Sequence, residues 1–304
     1  MPPEPPRPDF LLVGAPKCGT TALARYLGAH PDIFMPSVKG LHYFGSDLDF
    51  PGGRIGEPEY RSHFQGAGAA EAAGEASVWY LYSATAAEEI RAYRPDARII
   101  VMLREPGSML HSLHGQFLYN GNEDIEDFAA ALAAELDRRA GRRVPPTARH
   151  PQGLWYTAVV AYATQLRRFY RAFPAEQIHV ILYEDLARDP DAVYQRTLAF
   201  LGLPPWPLPR YEQVNARKRN RSARLGRLLG HPPPAVRRAA HCLPDAWRRW
   251  LGRRLVALNT RQASGEAPDP EAVARIRRVV APEIEQLEAM LGRDLSAWKP
   301  DQAK

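Results

Sequence analysis

The sequence predicts an α/β fold, a single domain with a central parallel β-sheet flanked by helices. Three observations lead there. Short apolar runs read as buried strands at Phe10–Gly14, Arg98–Leu103 and residues 178–183. Helix-period patterns fill the chain between them. Strands that alternate with helices need crossover connections, which makes the strands parallel and the crossovers right-handed. Ligands of such sheets lie beyond the carboxyl ends of the strands, and both Gly14 and Arg104 stand at such ends.

The elements follow in order. Residues 1–8, rich in proline, form a disordered lead, and residues 9–304 the folded domain. Phe10–Gly14 is the first strand and residues 20–29 its following helix. Residues 37–50 are loop-rich, and residues 51–56 hold turn formers, so this stretch is a surface excursion. A short strand is expected at 75–79 and a helix at 83–93. After the strand Arg98–Leu103 come helices at 108–119, 125–139 and 155–172, with Pro145 and Pro146 as a break. Residues 190–201 form another helix, 204–209 a rigid break, and 215–224 a basic segment. Arg-rich helical pieces then pack on the core.

Composition narrows the class. The chain of 304 residues has 45% hydrophobic residues and no repeat, so it is globular and long enough for one large α/β domain. No apolar run is long enough for a membrane span, and the N-terminus lacks the apolar core of a signal peptide. A cytoplasmic protein is expected. The two cysteines, Cys18 and Cys242, make neither a disulfide framework nor a metal cluster. A net charge of +6 suits a polyanionic ligand but also nucleic acid or a membrane surface. Charge alone decides little.

The most informative stretch is Gly14-Ala15-Pro16-Lys17-Cys18-Gly19-Thr20-Thr21-Ala22, directly after the first strand. A Gly-containing loop opening a helix cradles phosphate on backbone N–H groups and the helix dipole. It is not a Walker A loop, in which Lys directly follows the last Gly and precedes Ser or Thr. Here Thr20 follows Gly19, and Lys17 precedes it. The Pro-Lys-x-Gly-Thr-Thr form resembles the phosphosulfate loop of sulfotransferases that use 3′-phosphoadenosine 5′-phosphosulfate (PAPS). The resemblance implies a P-loop-kinase-like fold with Lys17, Cys18, Gly19, Thr20, Thr21 and Ala22 around the 5′-phosphosulfate. It also implies a soluble, bacterial form, because many animal relatives are anchored in the Golgi.

A second stretch, Val101-Met-Leu-Arg104-Glu-Pro106 with Ser112 on the next helix, resembles the family's 3′-phosphate site. An arginine binds phosphate bidentately, and Ser112 adds a hydroxyl about two helical turns beyond. The basic run around Arg217, Lys218 and Arg219 stands where relatives place a loop contacting the same phosphate. It lacks the interleaved aromatics that stack nucleic-acid bases, so no nucleic-acid partner is expected.

A third stretch, Lys39-Gly40-Leu-His42-Tyr-Phe44, resembles the Lys-Glu-Pro-His-Phe-Phe segment of heparan-type sulfotransferases and their bacterial relatives. In that family the Glu is proposed as general base, and here Gly40 replaces it. His42 is the nearest group able to take a proton near neutrality, with a basic limb expected in the ordinary histidine range. A Glu restored at position 40 is expected to leave activity unchanged or raise it. Gly74-Glu75-Ala76-Ser77-Val78-Trp79-Tyr80 resembles the acceptor-lining segment of the family, with Ala76 at its Lys. Lys39, His42, Glu75, Trp79 and Tyr80 are therefore the acceptor-side candidates. Lys17 and His42 are the catalytic ones.

The reaction implied is sulfuryl transfer from PAPS to a hydroxyl or amine of a carbohydrate, lipid or secondary metabolite, releasing adenosine 3′,5′-bisphosphate (PAP). No metal is required. Two rivals stay open: a non-catalytic PAP-binding homologue, given Gly40, and a small-molecule kinase, which should carry Lys where Thr20 stands. The acceptor and the oligomeric state are not legible.

Overall fold

Phe10–Gly14 (β1) is buried at every position, as a strand covered on both faces must be. In the computed structural model of the chain it is the centre of a five-stranded sheet. The described residues are 7–50, 53–68, 70–207, 218–222, 247, 254–255, 257–262 and 269–300. Strands Ile33–Phe34 (β2), Ala72–Ala76 (β3), Arg98–Leu103 (β4) and Ile178–Leu182 (β5) complete the sheet in the order β2-β3-β1-β4-β5. All four pairings are parallel, with Leu11 opposite Glu75 and Ile99, and Met102 opposite Ile181. The expected fold class is the observed one.

Helices Thr20–Leu27 (α1), Glu57–Ser62 (α2), Ala86–Tyr93 (α3), Pro106–Asn120 (α4), Phe128–Ala133 (α5) and Glu135–Arg139 (α6) precede β5. Tyr156–Val159 (α7) and Tyr162–Ala172 (α8) also lie before it, and Tyr183–Arg188 (α9) and Pro190–Phe200 (α10) follow. Pro270–Leu291 (α11) packs its apolar stripe, including Ile276, Val280 and Ile284, against α4 and α8. Lys218–Asn220 (β6) and Thr260–Gln262 (β7) form a separate antiparallel pair beside α4.

Several boundaries depart from expectation, each for a local reason. The strand read at 75–79 lies at Ala72–Ala76 instead. Its small residues carry little strand propensity, yet Gly74 is required, because a Cβ there would stand 2.1 Å from Phe10 Cζ. The helix expected at 125–139 begins only at Phe128, since the Glu123 carboxylate takes the N–H groups of Asp124 and Ile125. The helix expected at 155–172 breaks between α7 and α8, where Gln165 Nε2 donates to the carbonyls of Ala158 and Val159.

Candidate active site

Beyond the carboxyl ends of β1 and β4 lies a cavity of about 760 Å³. β1 delivers Lys17, Gly19, Thr20 and Thr21 to its wall, and β4 delivers Arg104. Gly19 caps α1 in the left-handed region (φ 87°), and a Cβ on it would press 3.0 Å from Leu186 Cδ2. Lys17 Nζ donates to Gln116 Oε1 at 3.2 Å, so α4 aims the loop's cation. Lys39 Nζ turns inward onto Thr20 Oγ1 at 3.2 Å and Thr21 Oγ1 at 2.8 Å. Burial of that ammonium, then the like charges of Lys17 and Arg25, lowers its pKa to about 8.

Arg104 is held from three sides. Its guanidinium lies 4.4 Å from the Tyr183 ring centroid, its Nη1 reaches the Lys17 carbonyl at 3.4 Å, and its own carbonyl accepts from Tyr162 Oη. The next residue, Glu105, caps α4 by accepting from the N–H groups of Gly107 and Ser108. That cap fixes the direction in which α4 carries Ser112 and Gln116 along the cavity.

The far wall is the loop after β2. His42 sits there in the left-handed region (φ 52°), as Lys17 does on the opposite wall (φ 62°). Non-glycine residues in that region cluster at functional sites. Phe50 stacks on the His42 ring at 4.0 Å and on the His150 ring at 5.3 Å. Burial first, and His150 second, lower the His42 pKa to about 4. The imidazole is thus a neutral base across the physiological range, not one titrating at the ordinary histidine value.

Beneath this loop Glu75 is 1% exposed. Its carboxylate accepts from Tyr60 Oη at 2.8 Å, Tyr80 Oη at 3.0 Å and Ser77 Oγ. Ser77 Oγ in turn accepts the His42 N–H at 3.2 Å, and Tyr80 Oη accepts the N–H groups of Tyr43 and Phe44. One buried carboxylate therefore anchors the backbone that presents His42. Burial raises its pKa to about 6, against the lowering pull of those three hydroxyls.

A family model described as the sulfotransferase domain matches residues 7–223. The chain belongs to the sulfotransferase family. The chain is 28% identical over 243 residues to human heparan sulfate glucosamine 3-O-sulfotransferase 6, covering 76% of this chain and 66% of that protein. It is 25% identical over 198 residues to human heparan sulfate glucosamine 3-O-sulfotransferase 5, covering 65% of this chain and only 54% of that protein's length. The crystal structure of a sulfotransferase from Alicyclobacillus acidocaldarius superposes with a TM-score of 0.71 at 30% identity, over 96% of this chain and 99% of that one. No described helix of the chain is long and apolar enough to cross a membrane.

The cavity gathers Lys17, Gly19, Thr20, Thr21, Arg104, Ser112, His42 and Trp79 in one lining. Other expected residues stand elsewhere. The Cys18 side chain is fully buried, its Sγ directed to the Pro16 carbonyl and its thiol pKa pushed up by burial, so only its backbone belongs to the loop. The Ala22 N–H is already committed to the Gly19 carbonyl at 2.9 Å. Glu75 and Tyr80, expected to meet an acceptor, are sealed under the loop because the hydroxyl network turns them inward. Lys39, expected beside the acceptor, turns to the hydroxyls of Thr20 and Thr21 in the loop after β1.

Gly40 (φ 78°) has its Cβ position 3.0 Å from His42 Nε2, so a Glu there would be strained and would meet the imidazole. Lys218 and Arg219 lie in β6, and Arg217 falls outside the described residues. Sequence reading missed Gln116, His150 and Phe50. Gln116 shares a helix face with Ser112, a usable signal. His150 and Phe50 have none, being brought to His42 only by tertiary packing.

Proposed function

We propose that this protein transfers a sulfuryl group from PAPS to a hydroxyl or amine of an acceptor, releasing PAP. The observation that carries the reading is the convergence on one cavity of donors that follow β1, β2 and β4: two lysines, two threonine hydroxyls, Arg104 and Ser112. This donor set fits a nucleotide with separate 5′ and 3′ anionic groups. The N-terminal N–H groups of α1, with Thr20 and Thr21, serve the 5′ group. Arg104 and Ser112 serve the 3′-phosphate.

Bound there, PAPS supplies an activated sulfuryl group. Lys17, aimed by Gln116, places a cation at the loop entrance, where it meets charge developing on the bridging oxygen. Lys39 holds the two threonine hydroxyls and adds a second cation. His42 accepts the acceptor's proton on an imidazole nitrogen that starts neutral. The Glu75 network keeps His42 in place, and Phe50 fixes its ring plane.

A binding-only protein is favoured by the missing carboxylate at Gly40, and a kinase is disfavoured by Thr20. Calorimetry with PAP and ADP tests the donor assignment. PAP should bind far more tightly, and Arg104→Ala should weaken PAP by about 1.5–3 kcal/mol while leaving ADP nearly unchanged. Equal affinities for the two nucleotides would defeat the assignment. Formation of a labelled sulfate ester from labelled PAPS then separates an enzyme from a binder.

A further inference from the structure

The acceptor side of the cavity differs in charge and surface from the donor side, and its reading as an acceptor site rests on PAPS filling the donor side. Among the described residues of the wall, the cations are Lys17, Lys39 and Arg104. All three face the donor side: Lys17 beside Gln116, Lys39 on the loop threonines, and Arg104 over Tyr183. A 3′-phosphate alone brings about −1.5 to −2 charges, and the phosphosulfate adds more, so a bound donor neutralises all three.

The other side has the opposite character. Its charged residues are Glu126 and Asp127 at the exposed rim. His42 and His150 are both neutral, with pKa values lowered by burial to about 4. The neutral amides of Asn120 and Asn122 share the lining with the apolar and aromatic Ala76, Val78, Trp79, Phe117 and Phe128. Trp79 lies parallel to Phe117 at 6.3 Å and edge-on to His150 at 4.4 Å, so its indole is packed between two other rings. A polyanionic acceptor entering here would meet two carboxylates and the donor's own charge, and Lys17, Lys39 and Arg104 are the cations among the described lining residues. An uncharged ring can lie against the partly exposed Trp79, and the rim carboxylates accept hydrogen bonds from hydroxyl groups.

We propose that the acceptor is an uncharged, ring-bodied hydroxyl compound of the phenol or aryl glycoside class, lying against Trp79 with its hydroxyl toward His42. Polyanionic carbohydrates, the substrates named for its heparan-type relatives, are disfavoured by the same wall.

Calorimetry on the full chain tests this in two stages. The first titration, with PAP alone, reports the donor assignment by itself. The PAP-saturated protein is then titrated with 4-nitrophenyl β-D-glucoside and with a heparosan hexasaccharide. The aryl glucoside should bind at least tenfold more tightly. Trp79→Ala should weaken it at least fivefold without changing PAP affinity, which also certifies that the variant is folded. Glu126→Lys should raise hexasaccharide affinity. Equal or tighter hexasaccharide binding, or an aryl glucoside that does not bind the PAP-saturated protein, overturns the inference. Failure of PAP itself to bind overturns the donor assignment on which it rests.

Discussion

Lys39 donates from Nζ to two threonine hydroxyls of the loop after β1, and its pKa near 8 follows from burial and from the like charges of Lys17 and Arg25. The free protein therefore loses this charge as pH rises past 8. A bound anion restores the pKa toward the ordinary lysine value of about 10.4. PAP binding above pH 8 should then take up a fraction of a proton, and PAP affinity should fall as pH rises. Calorimetry at pH 9 in buffers of different ionisation enthalpy reads the uptake directly, and Lys39→Met should abolish it. An uptake that survives in the variant would assign the coupling to another group. His42 makes a second prediction at the level of one side chain. With its pKa near 4, acceptor-dependent turnover should fall only toward pH 4. His42→Ala should lower kcat/KM by about 10²–10⁴-fold, the usual worth of a positioned base. A variant of undiminished rate would place the base elsewhere.

The loop carrying His42 has no regular structure of its own, and its order comes from β3 beneath it. Gly40 N–H donates to the Ala76 carbonyl, and the Glu75 network fixes the next turns. Glu75 ionises near 6 in the fold against an ordinary value of 4.5, so its protonated form favours folding. The stabilisation is present below pH 4.5 and is lost as pH rises through 6. Glu75→Gln, which cannot ionise, should remove this dependence. Urea unfolding at pH 4 and pH 7.5 should show the native protein losing about 2 kcal/mol relative to the variant, from about 1.36 kcal/mol per pKa unit. A pH-independent difference would mean that the carboxylate is not desolvated as the packing implies. At the scale of elements the sequence was least legible. β3 is built of small residues, and α5 starts late because Glu123 diverts two N–H groups, and neither cause is visible in hydrophobic period.

Among the described residues the largest fully buried side chain is Arg138, whose guanidinium meets the Glu123 carboxylate at 2.6 and 2.7 Å. Tyr156 Oη completes the carboxylate's partners at 2.8 Å. The pair ties α6 to the segment that leads into the Asn122, Glu126 and Asp127 wall of the cavity. Removing one member leaves an uncompensated buried charge, which costs about 3–5 kcal/mol. Arg138→Met should therefore lower the unfolding free energy by that amount. Replacing both Arg138 and Glu123 by apolar residues of similar volume should recover much of it. A single variant as stable as the native protein would show that water reaches the pair.

Sequence alone is enough to read the fold class, the strands β1, β4 and β5, and the gathering of Lys17, Gly19, Thr20, Thr21, Arg104 and Ser112 at one end of the sheet. These are local facts: an apolar run makes a buried strand, and a loop directly after that strand must lie at its carboxyl end. Three-dimensional packing was needed to bring Lys39 to Thr20 and Thr21, to turn Glu75 and Tyr80 beneath the His42 loop, and to stand Phe50 and His150 beside His42. Where a buried side chain points, and what its pKa becomes, depends on partners distant in sequence, such as Tyr60 for Glu75 and His150 for His42.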